Sequence, residues 1–226
     1  MSISTIVVIG CLSLSTIGLL FYVYWVLPRQ IESRLRESLR VFSTAVELRF
    51  PNHTGLTDRV LALGLRLGQL AGLSPTELRD LEMATHLRDI GLCAIPYRLV
   101  KEKPWLQWTH SDFETYDRHA EISAHMLEIT PSLHKLAPIV RCHHAPYDGK
   151  TGWFAPNSRA IPIQARILYV VTTYVWFERN LGDLLARDRL VEGRGSLFDP
   201  ELVDAFLRML TSKGVRDASE HLAGVP

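Results

Sequence analysis

The sequence predicts an all-α helical bundle preceded by one transmembrane helix. Three observations carry that reading. An uncharged stretch near the N-terminus is long enough to cross a bilayer. Apolar residues recur at helical spacing through most of the remainder. Helix start signals are frequent, and no two β-prone runs stand ready to pair.

Ile6 to Leu27 carries no charged side chain over about 22 positions, enough for a hydrocarbon core of roughly 30 Å. Phe21, Tyr22, Tyr24 and Trp25 crowd its far end, where aromatic side chains favour the membrane interface. Arg29, Arg34, Arg36 and Arg40 follow, while the residues before Ile6 include no Lys or Arg. The positive-inside tendency then predicts a single-pass anchor (residues 1–28) in a bacterial inner membrane, with the rest cytoplasmic. A cleaved signal peptide fits less well, because a basic n-region and a small-x-small site are both missing.

A juxtamembrane linker helix is expected next (29–46), its periodicity running on to Phe50 through Ile31, Leu35, Leu39, Phe42 and Val46. The main helical domain is expected over 47–212, with a tail at 213–226. Thr57 to Ala71 repeats Val60, Leu61, Leu65, Leu67 and Leu70 and stops at Gly72. "SPTE" (Ser74–Glu77) reads as a capping box with proline at the first helical position. "SDFE" (Ser111–Glu114) suggests another start, for a helix over Asp112 to Ile129. Leu133 to His144 reads as a short helix, and Pro162 to Asn180 as a strongly apolar one. Within the latter, the β-branched run Val170 to Val175 could pass for a strand but has no partner. Asp199-Pro200 opens a last helix.

Net charge is +1, so no electrostatic case for nucleic acid exists. The three cysteines, Cys11, Cys93 and Cys142, include no CxxC pair and suit a reducing compartment. The unusual chemistry lies in "RCHHAPYDG" (Arg141–Gly149), where His143 and His144 are adjacent. On a regular helix neighbouring side chains diverge by about 100°, so one ion seldom takes both, whereas a two-metal centre can. The alternative is two polar residues at a fraying helix end. Asp89, His86 and His119 are further candidates spread along the chain, as ligands drawn from separate helices of a bundle are, with His86 and Asp89 three residues apart and able to share one helix face. His110, His125, His134 and His221 read as surface or capping residues, and His53 as a loop residue.

From about Glu47 to Leu210 the chain resembles an HD-GYP domain, the branch of the HD phosphohydrolase superfamily that hydrolyses cyclic di-GMP. The resemblance rests on "ELRFPNHTGLTDRV", "GLSPTELRDLEMATHLRDIGLCAIP", "RHAEISAHMLE", "LAPIVRCHHAPYDG", "IPIQARILYVVTTY" and "LFDPELVDAF". It implies an HD-domain-like bundle whose vestigial or partial metal ligands are Asp89, His119, His143 and His144. Other positions depart from the pattern. Leu56 stands where the first ligand histidine is expected, Arg88 replaces the histidine of the His-Asp pair, Leu92 replaces the lysine, and Thr172 replaces a later aspartate. The "DGxGYP" signature becomes "DGKTGWF", keeping Asp148 and Gly149.

These losses imply no complete catalytic set. Leucine cannot ligate, and the permanently charged guanidinium of Arg88 opposes a dication but can pair with a carboxylate such as Asp89. A catalytically silent, membrane-anchored protein follows, acting in signalling through a protein partner or a nucleotide, with the linker helix able to pair two copies. No cofactor is required by that reading. Its rival is a reduced phosphodiesterase with one iron, manganese or zinc ion. A third reading is cyclic dinucleotide recognition without turnover, through Arg88, Asp148, Arg159 and Arg166, with Tyr147 or Trp153 stacking on guanine.

Overall fold

The computed structural model describes residues 2–48, 54–103, 105–150 and 160–211, with Leu106 described by its backbone alone. His53, Trp153, Arg159 and the tail expected at 213–226 lie outside that range. The chain divides into two compact units, 1–41 and 42–226.

The first unit is helical from end to end. Helix α1 (Ile3–Phe21) starts at Ser2, whose hydroxyl accepts from the Thr5 amide at 3.3 Å, and none of its residues is buried. A single π-helical turn (Tyr22–Val26) joins it to α2 (Leu27–Leu48). The apolar part has a mean hydropathy of 2.3 and is long and apolar enough to cross a membrane. At its end Arg29 lies over the Trp25 ring, 5.4 Å from the centroid, and donates to the Trp25 carbonyl.

The second unit opens with the last turns of α2 and continues through α3 (Leu56–Leu70), α4 (Pro75–Leu87), α5 (Tyr97–Lys101), α6 (His110–Glu128), α7 (Ala137–Arg141), α8 (Ile163–Leu181), α9 (Asp183–Glu192) and α10 (Pro200–Thr211). Helix α8 is the spine, packed against α3, α4 and α9. Its Ala165, Ile167, Leu168, Val170, Val171, Tyr174 and Val175 are buried. That explains the β-branched run: a helix enclosed on most sides needs apolar residues all round, which overrides their strand preference.

Local signals place most boundaries. Ser74 and Glu77 form the expected capping box. At α6 the box lies two residues earlier than expected. Thr109 accepts from the Asp112 amide, and the Asp112 carboxylate accepts from the Thr109 amide at 2.7 Å. Lys103 joins that carboxylate and, with Thr109, holds its pKa down at about 2. The helix predicted over Leu133 to His144 is instead a 3-10 turn (His134–Leu136) followed by the short α7. His143 and His144 therefore sit beyond a helix end. Helices α5 and α9 were not predicted; α9 has its periodicity obscured by charge. Among the described residues no strand forms.

The end of α2 is fastened to the site-bearing helices. Glu47, buried, accepts from the Gly55 amide at 2.8 Å and the Thr57 amide at 2.6 Å, capping α3 through one carboxylate. Glu47→Ala strands two amide donors near the core. It is expected to cost about 1–3 kcal/mol, read as a lower urea midpoint at unchanged slope.

Candidate metal centre and adjoining cavity

Helix α4 ends at Leu87 with Arg88 as its C-cap, and Asp89 (φ −101°, ψ 4°) turns the chain into a 3-10 segment, Ile90–Ala94. Ser123 on α6 pins this turn. Its hydroxyl accepts from the Gly91 amide and donates to the Arg88 carbonyl, both at 2.8 Å. One helical turn earlier on the same face stands His119, so the clamp brings Asp89 to an imidazole.

Asp89 is shared by two kinds of neighbour. Its Oδ1 lies 3.6 Å from His119 Nε2 and 3.9 Å from His143 Nε2. Its Oδ2 lies 2.9 Å from the Arg88 guanidinium, which is almost wholly buried and also donates to the Thr85 carbonyl. The divergence of adjacent helical side chains does not prevent this pair, because Asp89 has already left the helix. His86 faces elsewhere: its Nδ1 is 3.1 Å from the hydroxyl of Ser43, on α2.

Three imidazoles converge beside Asp89. The ring nitrogens of His119, His143 and His144 that could hold an ion lie within 4.8 Å of one another. His119 and His143 are fully buried, while His144 keeps part of its surface open to a cavity. Adjacent His143 and His144 meet because both lie past the end of α7, where the 100° rule no longer applies; their ring centroids are 4.0 Å apart.

The tautomers are fixed by the backbone. Nδ1 of His119 is 2.6 Å from the Tyr116 carbonyl, and Nδ1 of His143 is 2.6 Å from the Val140 carbonyl. A carbonyl only accepts, so both Nδ1 atoms carry hydrogen and both Nε2 atoms present lone pairs when the rings are neutral. Those Nε2 atoms face each other at 3.3 Å. Two lone pairs at that distance repel unless a cation lies between them. Two nitrogens bound at about 2.05 Å by a tetrahedral ion stand about 3.3–3.4 Å apart. Carbonyl partners on the far ring nitrogens are also what orients metal-bound histidines. The residues present therefore fit one divalent ion.

They do not fit two. Leu56 and Thr172 line the same cavity of about 720 Å³. Leu56 presents hydrocarbon, and the Thr172 hydroxyl donates to the Leu168 carbonyl of its own helix at 2.7 Å. Leu92 is buried in a cluster with Val46, Ile95 and Leu99, so the position of the expected lysine is now core.

Burial pushes the pKa of all three imidazoles below the ordinary histidine value of 6.5, that of His143 and His144 well below; the Arg88 charge adds to the shift. The unfolded chain then binds more protons than the folded one below about pH 6.5, so stability falls as pH drops through that value. Each imidazole contributes a slope of about 1.4 kcal/mol per pH unit until its folded pKa is reached. In the presence of a chelator, the urea midpoint is expected to be flat above pH 7 and to fall steeply between pH 6.5 and 5.

Other candidates lie apart from this centre. Arg166 is paired with Asp199 at the start of α10. Asp148 accepts from the Lys150 amide in a turn, and its own amide donates to the Ser196 carbonyl. Neither lines the cavity, nor does Tyr147. The sequence reading missed its aromatic wall: Trp105, Trp108, Tyr116, Trp176 and Phe177. The available signal was a pair of tryptophans in "PWLQW" and an apolar helix ending in "VWF".

A family model described as an HD domain matches residues 40–202. Over 187 residues the chain is 30% identical to the cyclic di-GMP phosphodiesterase response regulator RpfG of Xanthomonas campestris pv. campestris (strain 8004), covering 79% of this chain and 49% of that protein. It is 29% identical over 188 residues to a cyclic di-GMP phosphodiesterase of Thermotoga maritima, covering 80% of this chain and 50% of that protein. The chain thus spans about half the length of these relatives. Its fold is similar to a cyclic GMP-AMP-specific phosphodiesterase of V. cholerae, with a TM-score of 0.67 at 18% identity, covering 85% of this chain and 54% of that one. It is also similar to Bd1817, an HDG"Y"P protein of Bdellovibrio bacteriovorus, with a TM-score of 0.59 at 15% identity, covering 70% and 52%. The chain belongs to the HD domain family.

Proposed function

We propose that this chain is a membrane-tethered HD-domain protein that holds one divalent ion and recognises a ligand without hydrolysing a phosphodiester. The observation that carries the proposal is the buried Arg88–Asp89 ion pair, in which a fixed guanidinium charge occupies the position expected for a metal-binding histidine. Leu56, Thr172 and Leu92 point the same way. In-line displacement at phosphorus benefits from ions on both the attacking and the leaving oxygen, and from a cation on the phosphate. Here one ion site, Asp89 with His119, His143 and His144, would supply Lewis acidity, and the rest of that apparatus is replaced by hydrocarbon and a self-bonded hydroxyl.

In this reading the apolar segment anchors the chain in the inner membrane, and α2 carries the state of the bundle to a protein partner or a second copy. The rival is a slow phosphodiesterase working through the single ion, favoured by the backbone-oriented pair His119 and His143. The whole chain in detergent, loaded in turn with iron(II), manganese and zinc, separates the two. Cyclic di-GMP is expected to remain intact over hours at micromolar enzyme. Conversion to the linear dinucleotide that disappears in His143→Ala would establish the rival.

A further inference from the structure

The charges lining the cavity are unevenly engaged. Arg88 is held by Asp89, Lys103 by Asp112 and Arg189 by Glu192, and Lys101 lies over the Tyr97 ring. Asp117, on α6 and half-buried, lines the cavity without an ion-pair partner among the described residues.

The aromatic walls suit an organic cation. Trp105 and Trp176 meet at 81° with centroids 4.7 Å apart, and Trp176 and Phe177 meet at 72° and 4.9 Å. Near-perpendicular rings offer their faces in several directions, the arrangement by which aromatic cages surround an alkylated ammonium. Trp108 and Tyr116 contribute further rings to the same cavity. The wall already takes one cation, since Arg189 lies over the Phe177 ring at 5.8 Å.

We propose that the cavity binds an organic cation, an alkylated or quaternary ammonium group, seated against Trp105, Trp176 and Phe177 with Asp117 as its counter-charge. This rests on the reading that the site does not hydrolyse phosphodiesters, and it names the ligand class that replaced the phosphate. A cavity of about 720 Å³ falls within the range of small-molecule sites. The ammonium can come from a free metabolite or from a lipid headgroup.

The test is calorimetric titration of the full chain in a maltoside detergent with choline and tetramethylammonium chlorides, with tryptophan fluorescence as a second readout. Saturable binding is expected, with sodium chloride at equal ionic strength inert. Asp117→Asn and Trp176→Leu should each weaken affinity by roughly tenfold or more. Circular dichroism melts identify any variant that fails to fold, and a variant that keeps its fold and full affinity overturns the assignment. Phosphatidylcholine vesicles outcompeting free choline would identify a headgroup as the source; failure to compete would identify a soluble one. No saturable binding of either cation, or cyclic di-GMP binding that excludes choline, overturns the proposal. Turnover of cyclic di-GMP would instead remove the non-hydrolytic reading beneath it, so the two failures are distinct.

Discussion

Gly91→Ala is expected to destabilise the second unit by about 3–5 kcal/mol, which lowers the melting temperature by about 10 °C for a domain of this size. A β-carbon at Gly91 would lie 2.3 Å from the His119 carbonyl oxygen and 2.8 Å from both the amide and the hydroxyl of Ser123. Two of those three atoms are backbone of α6, so no flexible side chain can yield. The turn carrying Asp89 must move off the helix carrying His119, and the Ser123 clamp opens. Ser123→Ala is the control: it removes the two hydrogen bonds, leaves the close approach intact, and should cost about 1–3 kcal/mol. Equal melting temperatures for Gly91→Ala and wild type would refute this account of the turn.

His143→Ala is expected to reduce bound metal from about one ion per chain to less than about a tenth, measured by elemental analysis after dialysis against a weak chelator. His143 is the ring whose Nε2 faces His119 Nε2 at 3.3 Å and stands 3.9 Å from Asp89. Removing it leaves at most three side chains, which no longer share one focus, and exposes a cavity inside the core. Metal affinity should fall at least 100-fold, the scale on which even outer partners of metal ligands act. The metal-free variant should also lose part of the acid sensitivity expected between pH 6.5 and 5, since one of three depressed imidazoles is gone. Wild-type protein that takes up no iron, manganese or zinc sinks the single-ion site. Two ions per chain would contradict the displacement of the second site by Leu56, Arg88 and Thr172.

Much of the fold was legible because its signals are local. The capping box at Ser74, the stop at Gly72 and the apolar periodicity of α3 and α8 each depend on residues within a few positions of one another. Where two local signals competed, the sequence was ambiguous. Thr109 and Ser111 both begin a possible box, and only the nearby Lys103, which holds the Asp112 carboxylate, decides for Thr109. The expected helix through His144 stopped at Arg141, and that early stop lets both histidines turn toward one centre. No helical periodicity rule contains it.

By itself the sequence determined the all-helical class, the membrane-length apolar segment, and which side chains at the centre can ligate and which cannot. Those are properties of residue type and short-range spacing. The tertiary structure alone decided that Arg88 pairs with Asp89, that His86 faces Ser43, that Arg166 is engaged by Asp199, and that aromatic rings from α6, α8 and the segment before α6 wall one cavity. Apart from the neighbours Arg88 and Asp89, such contacts join residues far apart in the chain, and their directions follow from how buried helices pack and where each one ends.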